Sequence, residues 1–520
     1  MKKIIQIRIV LLLFPLIVIS NCLKGEIRLP AILSDSMILQ RNQPIPIWGW
    51  AEPGEKITVN FGGQSVETET EVSGKWLVNL KPLEANANPQ TLSITGSEKI
   101  DLNGILIGEV WLLTGQSNMQ WELQQANNGE EEVSKAHHSH IRLFNVSRGV
   151  AFKKHEGVLA NWQECTPASA RKFSAAGYFF GLDLHQNLNV PIGLINSSYG
   201  GSQVEAWMPE EYLLASDDFR PCVERTEIWE KERPAVQAKF EQDLKNWEEA
   251  VKQTEINGEK LPRKPRVPDA LRDYRIASSI YNNMIAPLIP YAIKGAFWYQ
   301  GESNEERAEQ YGLLLPVFIK SWREKWGQGD FPFGIIQLPN FREVCETPMD
   351  EAWSHIREAQ RRTVVNTVNS GLIVIIDIGE ANDIHPRNKL DVGNRMSLWA
   401  REKVYGENIK GTPPMYVRSG VKDEKIEIWF EEVGTGLQTK DGGDLAEFAI
   451  AGADKKWYWA KAKIVGKDKI EVWSDKVLSP IAVRYAFNNN PANPNLTNET
   501  GLPASPFRTD DWADPTTGKR

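Results

Sequence analysis

Ile105-Leu-Ile-Gly-Glu-Val-Trp-Leu-Leu113, followed at once by Gly115-Gln-Ser-Asn-Met119, is the stretch whose reading decides the fold. Its first part is a bounded apolar run, rich in branched aliphatics, which reads as a strand buried on both faces of a largely parallel sheet. Ser117 then stands at the C-terminal end of that strand, the edge at which open α/β sheets bind ligands. A serine placed there has two readings. It can cap the next helix or close a turn, or it can be an exposed nucleophile if a base and an oxyanion site lie nearby. Partners further along the chain must decide.

Working outward, apolar runs at 141–146, 190–196, 293–299, 333–338 and 371–378 read as further strands. Helical periodicity alternates with them at 173–188, 306–326, 353–367 and 389–405, as in a sheet covered on both faces. Residues 210–275 interrupt the rhythm with a charged, Trp-spotted run and then a Pro-rich one; they read as a helical insertion that walls one side of the site. Residues 24–100 alternate apolar and polar positions between turn signals, in Lys56-Ile-Thr-Val-Asn-Phe61 and Lys75-Trp-Leu-Val-Asn-Leu80 for example, and predict a β-sandwich. Alternation returns after 408, in Lys425-Ile-Glu-Ile-Trp-Phe430 and Lys469-Ile-Glu-Val-Trp473, and predicts a C-terminal β domain. The Asn/Pro-rich tail from Asn488 to Arg508 predicts an ordered arm or loop. The expected division is therefore 1–22 as signal peptide, 23–100 as N-terminal β domain, 101–407 as catalytic domain and 408–520 as C-terminal β domain and tail.

A chain of 520 residues exceeds what one core usually fills, and 41% hydrophobic with 25% charged residues is a soluble, globular composition. The net charge of −8 argues against nucleic acid or an anionic membrane surface as partner. Met1-Lys2-Lys3 and the apolar run from Ile9 to Ile19 read as an export signal ending near Cys22. Its loss removes Lys2, Lys3 and Arg8 and takes the net charge from −8 to −11. The expected location is periplasmic or extracellular, with a lipid on Cys22 as the one route to a membrane. The remaining Cys165, Cys222 and Cys345 form neither a disulfide framework nor a metal-ligand spacing. Nineteen tryptophans offer flat faces for sugar rings, and equally fill sheet cores and domain seams.

The loops after the later strands carry the remaining polar motifs. After Ile195 comes Asn196-Ser-Ser-Tyr-Gly200-Gly-Ser-Gln203, whose paired glycines can aim N–H groups at a ligand or simply form a turn. After Tyr299 comes Gln300-Gly-Glu-Ser-Asn304; Gln300 reads as an oxyanion donor or a buried structural amide, and Glu302 as a support or a sugar-hydroxyl acceptor. Beyond the last strand lie Glu380, Asn382, Asp383 and His385-Pro386, with Pro386 suited to the first turn of the next helix and His385 to general-base work. The acid that orients His385 stays open between Asp383, Glu380 and Glu302, or a dyad that uses none of them. His137, His138 and His140 lack acidic or cysteine companions, so no metal is expected.

At these residues the chain resembles the SGNH-type hydrolases, and among them the sialate O-acetylesterase-like carbohydrate esterases. The matching stretches are Gly115-Gln-Ser-Asn-Met119, Tyr199-Gly-Gly-Ser-Gln-Val-Glu-Ala-Trp207, Trp298-Tyr-Gln-Gly-Glu-Ser-Asn304, Asp383-Ile-His-Pro386 and Gly501-Leu-Pro-Ala-Ser-Pro-Phe-Arg508. The resemblance implies an α/β fold with a flavodoxin-type parallel core flanked by β domains. It implies Ser117 as nucleophile and His385 as base, with Asp383 the candidate acid although the wider group carries its Asp where this chain has Asn382. It also implies an oxyanion hole from Ser117, Gly200 or Gly201, and Gln300, and no cofactor. Gln116, Trp207, Glu302 and Asn304 are the candidate substrate contacts. The expected substrate is an O-acetylated sugar: 9-O-acetyl sialate first, acetylated xylan or pectin as the alternative. A non-catalytic carbohydrate-binding protein is the rival from another class.

Overall fold

The structure, a computed structural model, describes residues 26–257 and 260–520. The export signal and Cys22 lie outside the described residues.

Seven strands build the sheet that carries the site: β1 (Lys99–Gly115), β2 (His138–Asn145), β3 (Trp162–Cys165), β4 (Ile192–Ser198), β5 (Gly295–Tyr299), β6 (Phe333–Ile336) and β7 (Ser370–Ile373). They lie side by side as β7-β6-β5-β1-β4-β2-β3, all neighbours parallel except the β2/β3 pair. Counted in chain order, the six parallel strands lie as 2-3-1-4-5-6, a doubly wound arrangement in which the chain reverses its direction of travel across the sheet at β1. Among these seven strands the antiparallel member is β3, a four-residue edge strand too short for its pattern to be read from sequence.

β1 shows its double duty in its own pattern. Residues 99–104 alternate in burial, whereas 105–115 are buried throughout. The first part pairs antiparallel with Asn86–Thr95 of the N-terminal β layer, and Ile38–Gln40 pairs parallel with Leu106 to Gly108. The last part is sandwiched between β4 and β5. The change of sequence pattern near residue 101 thus falls inside one strand, and Ile38, Ile94 and Ile105 share a single apolar core with Trp298 and Phe318.

Helices Ala175–Leu188 and Lys389–Trp399 cover one face of the sheet. They cross at Gly393, where a Cβ would lie 2.5 Å from that of Phe179, so only glycine permits the approach. The contact locates the loop that carries His385. Helices Ala308–Trp326 and Ala352–Asn366 cover the other face. The insertion is a 38-residue helix, Arg220–Asn257, with Pro234 inside it. Two four-stranded antiparallel sheets around Ile428, Ile450, Val472 and Phe507 make the C-terminal β unit. The Asn/Pro-rich tail docks on the α/β unit through its backbone: Arg357, fully buried, donates to the carbonyls of Asn488 and Asn489.

Candidate active site

Gly115 ends β1 at φ +130°, and a Cβ there would sit 2.2 Å from the Tyr299 carbonyl oxygen. That close approach lets the Gln116 N–H donate to Tyr299 O at 3.0 Å and turns the chain into the short helix Ser117–Gln120. Gln116, not Ser117, occupies the N-cap position and makes no side-chain cap. The Ser117 hydroxyl therefore does no capping work; its Oγ lies 2.8 Å from Nε2 of His385. As the first residue of a helix, Ser117 keeps a backbone N–H with no intrahelical acceptor.

His385 sits on a loop tied down at both ends. The Gly379 N–H donates to Asn340 Oδ1 at 2.7 Å and the Arg387 N–H to Glu380 Oε1 at 2.8 Å. Asp383 Oδ1 accepts from the His385 backbone N–H at 2.9 Å and lies 3.7 Å from its Nδ1. Asp383 is thus the carboxylate beside the imidazole, outside hydrogen-bond distance of it. Glu380 serves the loop backbone and Glu302 bonds elsewhere. The helix after His385 starts at Lys389 with Asn388 as its cap, so Pro386 stands before the helix and not in its first turn. Trp121 stacks on the His385 ring at 5.0 Å between centroids and 18° between planes. Burial and the Lys389 charge lower the His385 pKa below the usual imidazole value, against an opposing pull from Asp383. At neutral pH the ring is a ready proton acceptor.

Behind the serine lies a network that sequence reasoning missed. The Lys389 ammonium, 0% exposed, donates to Asn118 Oδ1 at 2.6 Å and lies 5.2 Å from the centre of the Tyr299 ring. The Asn118 amide donates to Glu302 Oε1 at 2.7 Å and to the Ile384 carbonyl at 2.9 Å. Burial pushes Lys389 down to about 7 and Glu302 up to about 7. Asn118 stood in the motif around Ser117, but nothing in the sequence marks Lys389 beyond its place in the first turn of the helix.

Three of the predicted site residues belong to packing instead. Gln300 is fully buried, and its amide hydrogens go to Ser202 O at 3.1 Å and Asn304 Oδ1 at 2.7 Å, which leaves neither for an oxyanion. Asn304 donates to Glu205 Oε2 at 2.9 Å and accepts from the Val204 N–H at 3.0 Å, so a buried network uses it up. Trp207 is 0% exposed, edge-on to Trp298, and its indole N–H donates to Ser202 Oγ. It is a core tryptophan and no sugar platform. Gln116 is buried and accepts from the Ser303 N–H at 3.3 Å. Gly200 does lie beside the serine: a Cβ on it would stand 3.3 Å from that of Ser117, while its N–H donates to Gln120 Oε1 at 2.9 Å. Gly201, at φ +77°, faces the ring of Tyr274.

Tyr274 and Arg275, at the end of the 210–275 stretch, pack against the Tyr199–Gly201 loop: Tyr274 stacks on Tyr199 at 5.0 Å, and Arg275 Nε donates to Gly201 O at 3.3 Å. Beside them opens a cleft of about 710 Å³ lined by Gln203, Glu302 and Ser303 together with seven arginines, among them Arg225, Arg266 and Arg275. Gln203 Oε1 and Glu302 Oε2 are buried without hydrogen-bond partners among the described residues. Such acceptors suit the hydroxyls of a sugar. A hydroxyl hydrogen-bonded to a neutral imidazole and next to a glycine pair is an arrangement that can transfer an acyl group; the cleft borders it through Gln203, Glu302 and Ser303 and is not lined by Ser117 or His385 themselves.

The family described as "Carbohydrate esterase, sialic acid-specific acetylesterase" matches residues 107–258 and 268–396. Sialate O-acetylesterase from Homo sapiens is 27% identical over 551 residues, covering 95% of each chain, and the Mus musculus protein 27% over 528 residues, covering 92% of this chain and 94% of its own. A crystal structure of a carbohydrate acetylesterase from Xanthomonas citri superimposes with a TM-score of 0.79 at 34% identity, covering 94% of this chain and all of that one. With the family match spanning more than half of its residues, the chain belongs to the sialic acid-specific acetylesterase family of carbohydrate esterases and is a carboxylic ester hydrolase acting on acetylated carbohydrate.

Proposed function

We propose that the protein is a serine O-acetylesterase with an SGNH-type core, Ser117 as nucleophile and His385 as base, and that its sugar is 9-O-acetylated sialate. The observation that carries this reading is the 2.8 Å contact between Ser117 Oγ and His385 Nε2. Ser117 Oγ attacks the acetyl carbonyl carbon while Nε2 takes the hydroxyl proton. The bond from carbonyl carbon to sugar oxygen then breaks, and Nε2 returns the proton to that oxygen. Water next attacks the acetyl-enzyme, giving its proton to Nε2, and acetate leaves as Ser117 regains its hydrogen. Asp383, 3.7 Å from Nδ1, faces the charge of the transient imidazolium. The Ser117 N–H and the Gly200 N–H receive the oxyanion, with Gln120 Oε1 giving way to it.

Six of the cleft's seven arginines are paired with carboxylates, and Arg266, which has no ion pair among the described residues, is the cation an acidic sugar could meet, which supports sialate over neutral acetylxylan. Export through residues 1–22, with a lipid on Cys22, completes the proposal; mass spectrometry of the mature N-terminus tests it. Hydrolysis of 4-nitrophenyl acetate by wild type and Ser117→Ala tests the chemistry. The expected loss is on the order of 10³-fold or more. Activity retained by the variant sinks Ser117 as nucleophile, and activity absent from folded wild type sinks the esterase reading and leaves the binding-protein rival. Acetate release from acetylated sialosides, xylan and pectin decides the sugar.

A further inference from the structure

Asn118 follows the proposed nucleophile and has a side-chain amide whose two ends are chemically distinct. Its Nδ2 end faces the Ile384 carbonyl, which can only accept, and Glu302, so its Oδ1 faces Lys389 Nζ and accepts from it. The Ile384 carbonyl belongs to the peptide unit that leads into His385. One amide therefore ties the turn bearing Ser117 to the loop bearing His385 and to the loop after β5. The ammonium that donates to it is fully buried and has no carboxylate in direct contact among the described residues; its near neighbours are Asn118 Oδ1 and the Tyr299 ring. A buried cation with so few partners is costly to retain. A methionine would fill the same space without that cost.

We infer that Lys389 is a positioning residue of the acyl-transfer site: through Asn118 it locks the His385 loop onto the Ser117 turn, and its positive charge favours the neutral imidazole. The charged groups around that imidazole are few. Asp383 and Glu380 lie on its own loop, Glu302 on the loop after β5 and Lys389 on the following helix. Of these, Lys389 lowers the pKa of His385 and Asp383 raises it. Lys389 itself, at about 7, still holds its proton over the pH range below 6.5 in which His385 titrates. The inference rests on the proposed Ser117–His385 chemistry and adds a role within it.

The test is the pH dependence of kcat/KM for acetyl ester hydrolysis, with Ser117→Ala run alongside. In Lys389→Met the acidic limb should move up by about one pH unit, and kcat should fall by about tenfold to a hundredfold with KM little changed. In Lys389→Arg, which keeps the charge, the limb should stay where wild type has it even if the rate drops. Asn118→Ala removes the tie but keeps the cation, so kcat should fall while the limb stays; this variant carries the test if Lys389→Met does not fold. Should Lys389→Met keep the wild-type limb, or Asn118→Ala keep wild-type kcat, the inference is overturned and the Ser117 reading stands. Should Ser117→Ala keep its activity, that reading falls first.

Discussion

Two carboxylates flank the β5 end of the sheet, and the protein treats them in opposite ways. Glu205, 1% exposed, accepts from Arg225 Nη2 at 2.9 Å, Arg307 Nη2 at 2.5 Å and Asn304 Nδ2 at 2.9 Å. Burial alone would raise its pKa, but the two guanidinium groups hold it down to about 2. Among the described residues Glu302 meets no cation directly: Oε1 accepts from the neutral Asn118 amide and the buried Oε2 has no partner. Burial prevails there and lifts it to about 7. The first arrangement is a closed structural joint that pins the Gly200 loop to the Gln300–Asn304 loop. The second keeps a proton exchangeable near neutrality beside the proposed nucleophile, which is where perturbed groups concentrate in functional sites.

Breaking the closed joint should have the largest effect on stability. Glu205→Ala leaves Arg307 and Arg225 facing a buried gap, and removal of one partner from a buried ion pair costs about 3–5 kcal/mol. Urea unfolding followed by tryptophan fluorescence measures it; a cost below about 1 kcal/mol would mean that the joint is not structural.

Acid reads the same joint without mutation. The folded pKa of Glu205 is depressed from 4.5 to about 2, so its contribution is fully present above pH 4.5 and is lost as pH falls through about 2. That shift corresponds to about 3 kcal/mol. Glu205→Gln should flatten the stability curve between pH 4.5 and 2, in thermal melts against pH.

The open arrangement should respond with the opposite sign and less strongly. Glu302 has a raised folded pKa, so its folded state holds the proton longer than the unfolded chain does. Stability from this group is complete below pH 4.5 and declines as pH rises through about 7. Glu302→Gln should match wild type at pH 4 and exceed it at pH 8 by on the order of 1 kcal/mol, since the side chain as a whole is only half-buried and partly screened. A destabilised variant at pH 8 would show that the carboxylate is held as an ion there.

Much of the scaffold was legible because buried parallel strands announce themselves as continuous apolar runs. Residues 105–113, 190–196, 293–299 and 333–338 all lie in or overlap strands of the sheet, and the helices at 173–188 and 353–367 differ from the structure by only a residue or two at each end. β3 escaped because a four-residue edge strand with two exposed polar positions has no distinctive period. In the candidate site, the sequence placed Ser117 and His385 in loops after the first and last strands, and the structure brings the two side chains together. For Gln300, Asn304 and Trp207 the sequence leaves two roles open, because an amide or indole in a loop after a strand looks the same whether it faces a ligand or a packed neighbour. Only the positions of Ser202, Glu205 and Trp298 distinguish the two cases.

By itself the sequence determined the alternation of strands and helices, the order of the strand-end loops along the chain and the residue types those loops carry. These follow from hydrophobic periodicity and turn chemistry, which are local. The tertiary structure decided which of those polar groups meet. The 2.8 Å Ser117–His385 contact spans 268 residues and the Lys389–Asn118 bond 271, and whether a buried lysine or glutamate is compensated depends on neighbours at such separations. Charge burial is a property of the packed environment, so the fates of Glu205 and Glu302 could be told apart only after the chain had folded.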